Sequence, residues 1–520
     1  KKGDRMSLIL ISLCLLGTTG GDLLVVDHDI RELNDPSVLE QLDVVYISTD
    51  WFLATCELEL TELSNQVVAE GPVQLEDYRL VHLREENDAG SAGAVGEVLL
   101  CRGNVALVRV ESENAGLTAY PGVHLVQPLR VYSKRAVEPF QDLDLDDPDI
   151  TSIVEAVDQD SLISYIQRLE DFETRLCVAD SFYSACEWVD GKFASYGLSS
   201  EIESFDFVFY GTPYTSWNVA AEITGSVEPD VVVIICGHLD SITMNDPWTT
   251  APGADDNGSG SAAVIEAARI MSEYDFRYTV RFLCFGAEEL GLIGSEHYAE
   301  QAAAAGDSII AVMNLDMILY APAGYRSLFV PYNDISQELA MNMDTISAEY
   351  VPQLDVDVQY SPGTTYSDHA SFWAQGYPAL LGIETGVNEN PYYHQEDDLL
   401  ANYMEYFPFG TECAQAAIAT VAVYADPVPY GIHGEETSEP LIESMGPVPC
   451  SSSLVMRFGP GMTAGKVSIF DISGREVAEE SIAEGTEQVQ LDVSNLPPGI
   501  YGVRIVSGGL AESRVVVIAE

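Results

Sequence analysis

The sequence predicts an α/β protein: a mostly parallel sheet flanked by helices, with an N-terminal mixed accessory region and a C-terminal β-sandwich. Three observations carry this. Between Ser152 and about Ala425, strand runs that are apolar throughout alternate with helical patterns, and a strand that is apolar on both sides is buried on both faces. From Gly21 to Val137 come short strand-like runs such as "LDVVYIST", "VGEVLLCRGNVALVRVE" and "GVHLVQPLRVY", with turn residues between them. After "YADPVPYGIHGEETSEP" the pattern turns to short alternating strands, "GKVSIFDISGREV", "EQVQLDVSNLPPGIYGVRI" and "SRVVVIAE", as in a small sandwich.

At 520 residues the chain is too long for one ordinary core. Four parts are expected: a signal peptide over 1–20, an accessory or pro-region over 21–140, the α/β domain over 150–426 and the sandwich over 440–520. The first reads "KKGDRMSLILISLCLLGTTGG", basic residues followed by a short apolar stretch and small residues, which is an export signal too short to anchor in a bilayer. The protein is therefore expected to be secreted or held at the cell surface. Acidic side chains outnumber basic ones 83 to 23, for a formal charge of −60. Nucleic acid and anionic membranes would repel such a surface, so neither is an expected partner and no membrane insertion is expected. Cys236 and Cys284 lie in apolar runs and read as buried thiols, whereas Cys177 with Cys186, or Cys56 with Cys101, can pair in an oxidising compartment.

The elements of the α/β part follow in order. After the acidic stretch "FQDLDLDDPDI" a helix carries Ile153, Val154, Val157, Leu162, Ile163 and Ile166 on a helical repeat. The strands are "DVVVIICGH", "YTVRFLCFG", "SIIAVMNLDM" and "YPALLGIE", with helices such as "GSAAVIEAARIMSEY" and "GSEHYAEQAAAA" between them. In such sheets ligands bind beyond the carboxyl ends of the strands, so the polar residues there become the candidates. They are His238 and Asp240 in "CGHLDS", Asp255 and Asp256 in "APGADDNGSG", Glu288 and Glu289 in "GAEELG", Asp316 in "NLDM" and His394 in "NPYYHQEDD".

Each has an ordinary reading as a cap, a turn former or a packed ring. Together they do not: several carboxylates gathered on one rim repel one another, and buried ones must protonate or find cations. A pair of divalent metals resolves this, and nitrogen and oxygen ligands without thiolates suit Zn²⁺, with Co²⁺ or Mn²⁺ acceptable. One carboxylate must then bridge two ions, which gives a purpose to one of the paired aspartates.

Taken with their order, "GHLDS", "APGADDNGSG", "AEELGLIGS", "NLDM", "SDHASF" and "NPYYH" resemble the M28-type di-zinc exopeptidases, over about Ile153 to Tyr424. The resemblance implies the zinc exopeptidase fold, peptide substrates and aminopeptidase activity, with a zinc-bridging water as nucleophile. It implies Asp255 as the bridging ligand, His238 and Asp316 on one zinc, Glu289 and His394 on the other, and Glu288 as general base. Asp240 would be the carboxylate that orients His238, and Asp256 would be structural, joined to Asp255 by a cis peptide. Asp368 and His369 would shape the pocket wall. Some relatives carry a tyrosine where this chain has Thr364, so Tyr366 stays outside the catalytic set. The same fold also hosts carboxypeptidases and glutaminyl cyclases. Finally, "VSIFDISGREV" and "SNLPPGIYGVRI" resemble C-terminal sorting or FlgD-like β-domains, which implies contact with export machinery through 440–520.

Overall fold

The structure is a computed structural model. It describes residues 78–110, 123–128, 147–209, 211–428, most of 442–519, positions 143 and 145, and the strand segments 22–26, 43–47, 52–56 and 65–69. The expected signal peptide lies outside the described residues. The chain divides into two compact units, Lys1–Asp426 and Pro427–Glu520.

The first unit opens with two four-stranded antiparallel sheets. One holds β1 (Asp22–Val26), β2 (Asp43–Ile47), β3 (Phe52–Cys56) and β4 (Asn65–Ala69) in the order β2-β3-β1-β4. The other holds β5 (Tyr78–Leu83), β6 (Glu97–Arg102), β7 (Val105–Arg109) and β8 (Val123–Pro128) in the order β6-β7-β5-β8, with a short helix α1 (Ala89–Val95) against it. Val81, Leu83, Ala92, Ala106, Val108 and Val123 form the core of this second sheet.

The main body is an eight-stranded sheet. Its strands are β9 (Ser199–Phe209), β10 (Thr212–Ile223), β11 (Glu228–His238), β12 (Tyr278–Phe285), β13 (Ser308–Leu315), β14 (Leu328–Tyr332), β15 (Val356–Tyr360) and β16 (Ala379–Glu384), in the order β15-β14-β16-β13-β11-β12-β10-β9. The four strands read from the sequence are the adjacent, parallel centre of this sheet, β16-β13-β11-β12. Their runs are apolar on both sides because helices cover both faces. The edge pairs β9–β10 and β10–β12 are antiparallel, as is β14–β16.

Helices α2 (Pro148–Glu155), α3 (Gln159–Glu170), α4 (Asp180–Ser195), α5 (Gly258–Met271), α6 (Ile293–Ala305), α7 (Gln337–Tyr350), α8 (His369–Ala374) and α9 (Phe407–Ala425) complete the body. Helix α5 is buried along nearly its whole length. Its first turn presses on the end of β13: a Cβ on Gly260 would lie 2.2 Å from the Leu315 carbonyl oxygen, so only glycine fits. Asn257 caps it, accepting from the Gly260 amide at 2.8 Å. Cys177, Cys186, Cys236 and Cys284 are all buried free thiols, and Cys101 is also free, so the expected pairing of Cys177 with Cys186 is not formed.

The second unit packs the sheets β17-β18-β21 and β20-β19-β22-β23, formed by Ile442–Gly446 (β17), Ser453–Phe458 (β18), Gly465–Phe470 (β19), Glu476–Ile482 (β20), Gln488–Asp492 (β21), Gly499–Ser507 (β22) and Leu510–Ile518 (β23). Leu454, Met456, Val467, Ile469, Val503, Ile505 and Val516 fill the space between them, the inward halves of alternating strands.

Candidate metal centre

His238 is the last residue of β11, and its ring is buried. Nδ1 lies 3.0 Å from the backbone oxygen of Asp240. A carbonyl can only accept, so Nδ1 is the donor and Nε2 is left facing the centre. There it meets Asp316 Oδ1 at 3.3 Å, Asp256 Oδ1 at 3.4 Å and Glu288 Oε2 at 3.9 Å. On the far side of Asp256, His394 Nε2 lies 3.2 Å from Asp256 Oδ2 and 3.0 Å from Glu289 Oε2. Two groups, His238–Glu288–Asp316 and His238–Asp256–Glu289, each bring one ligand atom per residue within 4.8 Å of the others.

The electrostatics demand positive charge. Two carboxylates 4 Å apart repel by about 4 kcal/mol even at an effective dielectric constant of 20, and four acids converge here. Burial alone would lower the pKa of His238, but Glu288 and Asp316, with Asp240 and Asp256, raise it well above 6.5. His394 is likewise pushed up to about 9 against its burial, by Glu289 and Asp256. Burial pushes Glu289 up to about 7, with Asp256 adding to the effect. Asp256 goes the other way: burial would raise it, yet the two imidazoles beside it hold it well below the usual carboxylate range. Asp256 Oδ2, Glu289 Oε1 and His394 Nδ1 are buried and make no hydrogen bond. Buried carboxylate oxygens without hydrogen-bond partners, beside two imidazoles, are the donor types of a cation site.

Residues 218–407, which span all of these positions, match peptidase family M28. The chain carries an M28 peptidase domain. It is a peptide hydrolase. Its M28 domain is similar to a probable leucine aminopeptidase of Trichophyton verrucosum, 28% identical over 285 residues that cover 52% of this chain and 73% of that protein. A probable leucine aminopeptidase of Arthroderma otae is 29% identical over 259 residues, 48% of this chain and 70% of that one. The solved structure of LapB from Legionella pneumophila shares the fold, with a TM-score of 0.50 at 17% identity over 78% of this chain and 99% of that one. Residues 444–519 match the secretion system C-terminal sorting domain, which marks the chain for export to the surface or the medium. Among the described residues no helix is long and apolar enough to cross a membrane.

The M28 domain corrects two expectations about the paired aspartates. Asp256, not Asp255, enters the centre. The Asp255 carboxylate faces away, accepting from the Leu319 amide at 2.9 Å and from Asn390 Nδ2 at 3.0 Å. Burial, with Asp398 nearby, raises its pKa to about 8. The cause is the turn, in which one oxygen of Asp398 accepts from the Asp255 amide and the other from the Asp256 amide, at 3.0 and 3.1 Å. With both amides held from one side, the two side chains leave in different directions and only the second reaches the imidazoles. The cis peptide joins Asp256 to Asn257, one bond later than expected. Asp240 also differs in detail. Its backbone oxygen orients His238, while its carboxylate accepts from the Glu288 amide at 3.1 Å and lies 3.6 Å from His238 Nδ1.

Sequence reasoning missed the frame beneath these residues. Arg175 is fully buried and donates to the carbonyls of Leu239, Leu169, Pro252 and Gly253, tying the loop after β11 to the aspartate turn. Burial brings its pKa down to about 10, and Asp398, Asp240, Asp256 and Glu289 offset part of that cost. A lone arginine in "ETRLC" carries no signal for this role. Asp398 did have one, standing four residues after His394 in "HQEDD". Backbone strain gathers at the same rim, where Ala287, Met317 and His394 take positive φ of 57°, 54° and 56°. Each such residue costs on the order of 1–3 kcal/mol and persists only where its surroundings over-determine it.

Proposed function

We propose that the chain is a zinc-dependent aminopeptidase, acting on the N-terminal bond of peptides outside the cell. The observation that carries this reading is Asp256, whose two oxygens face His238 on one side and His394 on the other. His238 and Asp316 would hold one zinc, Glu289 and His394 the other, and Asp256 would be shared. The donor set of nitrogen and oxygen suits Zn²⁺, with Co²⁺ or Mn²⁺ as substitutes. When bound, such a pair supplies Lewis acidity: it lowers the pKa of a water and polarises the scissile carbonyl.

Glu288 is the group this reading makes the general base. It is buried beside His238 without being needed to complete either set of ligands. Burial raises its pKa well above 4.5; His238 opposes this, and Glu289 and Asp316 reinforce it. Its carboxylate takes the proton of the attacking water and returns it to the leaving amine. Asp240 positions it by holding its backbone amide. The relatives named leucine aminopeptidase support an amino-terminal rather than a carboxy-terminal cut. The same reading takes residues 1–20 as an export leader and 440–520 as the part that meets the export machinery.

The test is Glu288→Gln assayed on leucine-p-nitroanilide and a glutaminyl peptide. The expected variant keeps its zinc and loses roughly 10²–10⁴-fold in kcat. A Glu288→Gln chain of undiminished turnover overturns the assignment, and cyclisation of the glutaminyl peptide by the unaltered chain without hydrolysis of either substrate overturns the aminopeptidase reading.

A further inference from the structure

The two candidate imidazoles are held differently. His238 donates from Nδ1 to a backbone oxygen behind its ring, whereas His394 Nδ1 is buried and makes no hydrogen bond. A histidine that binds metal normally donates its other ring nitrogen to an acceptor, which fixes its orientation. The ring of His394 stacks on Tyr393 with centroids 3.9 Å apart, but these two are neighbours on one loop and move with it. His394 also stands at φ 56°, a backbone angle that its surroundings have to enforce. What sets this ring is therefore the loop that runs on from the end of β16.

That loop is fastened on both sides of His394. Four residues after it comes Asp398, which accepts from the amides of Asp255 and Asp256. Four residues before it comes Asn390, which is buried. Asn390 Nδ2 donates to Glu384 Oε1 at 3.1 Å and to Asp255 Oδ2 at 3.0 Å, and its Oδ1 accepts from the Tyr392 amide at 3.1 Å. Only this orientation of the side-chain amide gives its hydrogens acceptors and its oxygen a donor.

Of the two acceptors Glu384 is the fixed one, because it belongs to the sheet and Asp255 to a turn. It is the last residue of β16 and is fully buried. Its other oxygen accepts from the Tyr320 amide, and its backbone amide donates to the Met317 oxygen at 2.9 Å. Met317 and Tyr320 lie in the stretch that follows Asp316, so one carboxyl group ties the chain beyond Asp316 to the loop of His394. We propose that Glu384 and Asn390 are positioning residues, which set His394 for the metal ion it would share with Glu289 by fastening its loop to the sheet. The proposal rests on the zinc reading for what His394 holds, and the anchoring of the loop does not.

The test compares the full chain with Asn390→Ala and with Glu384→Gln, which keeps an acceptor for the Tyr320 amide only by turning its own amide towards Asn390. Two quantities are read: the zinc dissociation constants, by competition with a chromogenic chelator, and hydrogen exchange by mass spectrometry across 385–396 in the metal-free chains. In both variants one dissociation constant should rise roughly 10–100-fold while the other holds. Exchange across 385–396 should quicken by about tenfold, and exchange across 309–315 in β13 should not change. Unmoved constants overturn the proposal, and so do two constants that rise alike, which would make the pair general scaffolding. Failure of either variant to fold, read by far-ultraviolet circular dichroism, counts the same way. If the unaltered chain binds no zinc, quickened exchange confined to 385–396 upholds the anchoring and overturns the zinc reading, whereas unchanged exchange overturns both.

Discussion

Asp255 and Asp256 are neighbours with the same side chain, and one hydrogen-bond acceptor separates their roles. Asp398, 143 residues beyond Asp255, grips both amides and sends only the second carboxylate to the imidazoles. Asp256→Asn should therefore lose metal and activity together. Asp255→Asn keeps an acceptor for the Leu319 amide, so it should retain the metal content of the unaltered chain. Metal analysis of the two purified variants checks this, and the reverse result would return the bridging role to Asp255. The pair shows what the sequence held and what it did not. Composition and strand-end position were enough to mark His238, Glu288, Glu289, Asp316, His394 and the "ADDN" turn. The choice between adjacent aspartates depends on a partner far along the chain, and no local pattern encodes a partner's direction. Arg175 is the same case: its four acceptors are backbone carbonyls, which look alike in every sequence.

At the scale of elements, the legible strands were the ones buried on both faces. β11, β12, β13 and β16 read as continuous apolar runs, and they set the rim. β9 has buried residues only sparsely along its length, so its sequence lacks that mark. β8 was legible as a strand and β5 was not singled out, and neither showed what its buried face packs against, because alternation reveals that one face is buried without revealing against what. Their contact has a pH signature. His82 meets the Thr365 hydroxyl at 3.3 Å, the Tyr366 ring and, at longer range, His369. Burial, with His369 adding, lowers its pKa from 6.5 to about 3. An unfolded chain takes up this proton near pH 6.5 and the folded chain only near 3, so the group's contribution is complete above pH 6.5 and is lost as pH falls towards 3. Between those limits the unaltered chain should lose more unfolding free energy than His82→Gln, by on the order of a few kcal/mol. Denaturant titrations at a series of pH values measure the difference, and parallel curves would contradict it.

Across the whole molecule, charge serves two ends. Among the described residues, most acidic side chains are not buried and form an ordinary surface on an exported protein. A few, brought together at the carboxyl ends of a parallel sheet, instead build a centre that cannot rest without cations. The C-terminal sorting unit and the M28 domain each keep a core of their own, which is why the change in sequence pattern near residue 430 was readable. The account stands or falls on dications at that rim, and X-ray diffraction from crystals of the full chain at the zinc absorption edge measures them directly. It expects two anomalous peaks about 3.5–4 Å apart, one between His238 and Asp316, the other between Glu289 and His394, with Asp256 touching both. Density for the side chains with no anomalous peak among them, from crystals grown with zinc at neutral pH, would contradict it.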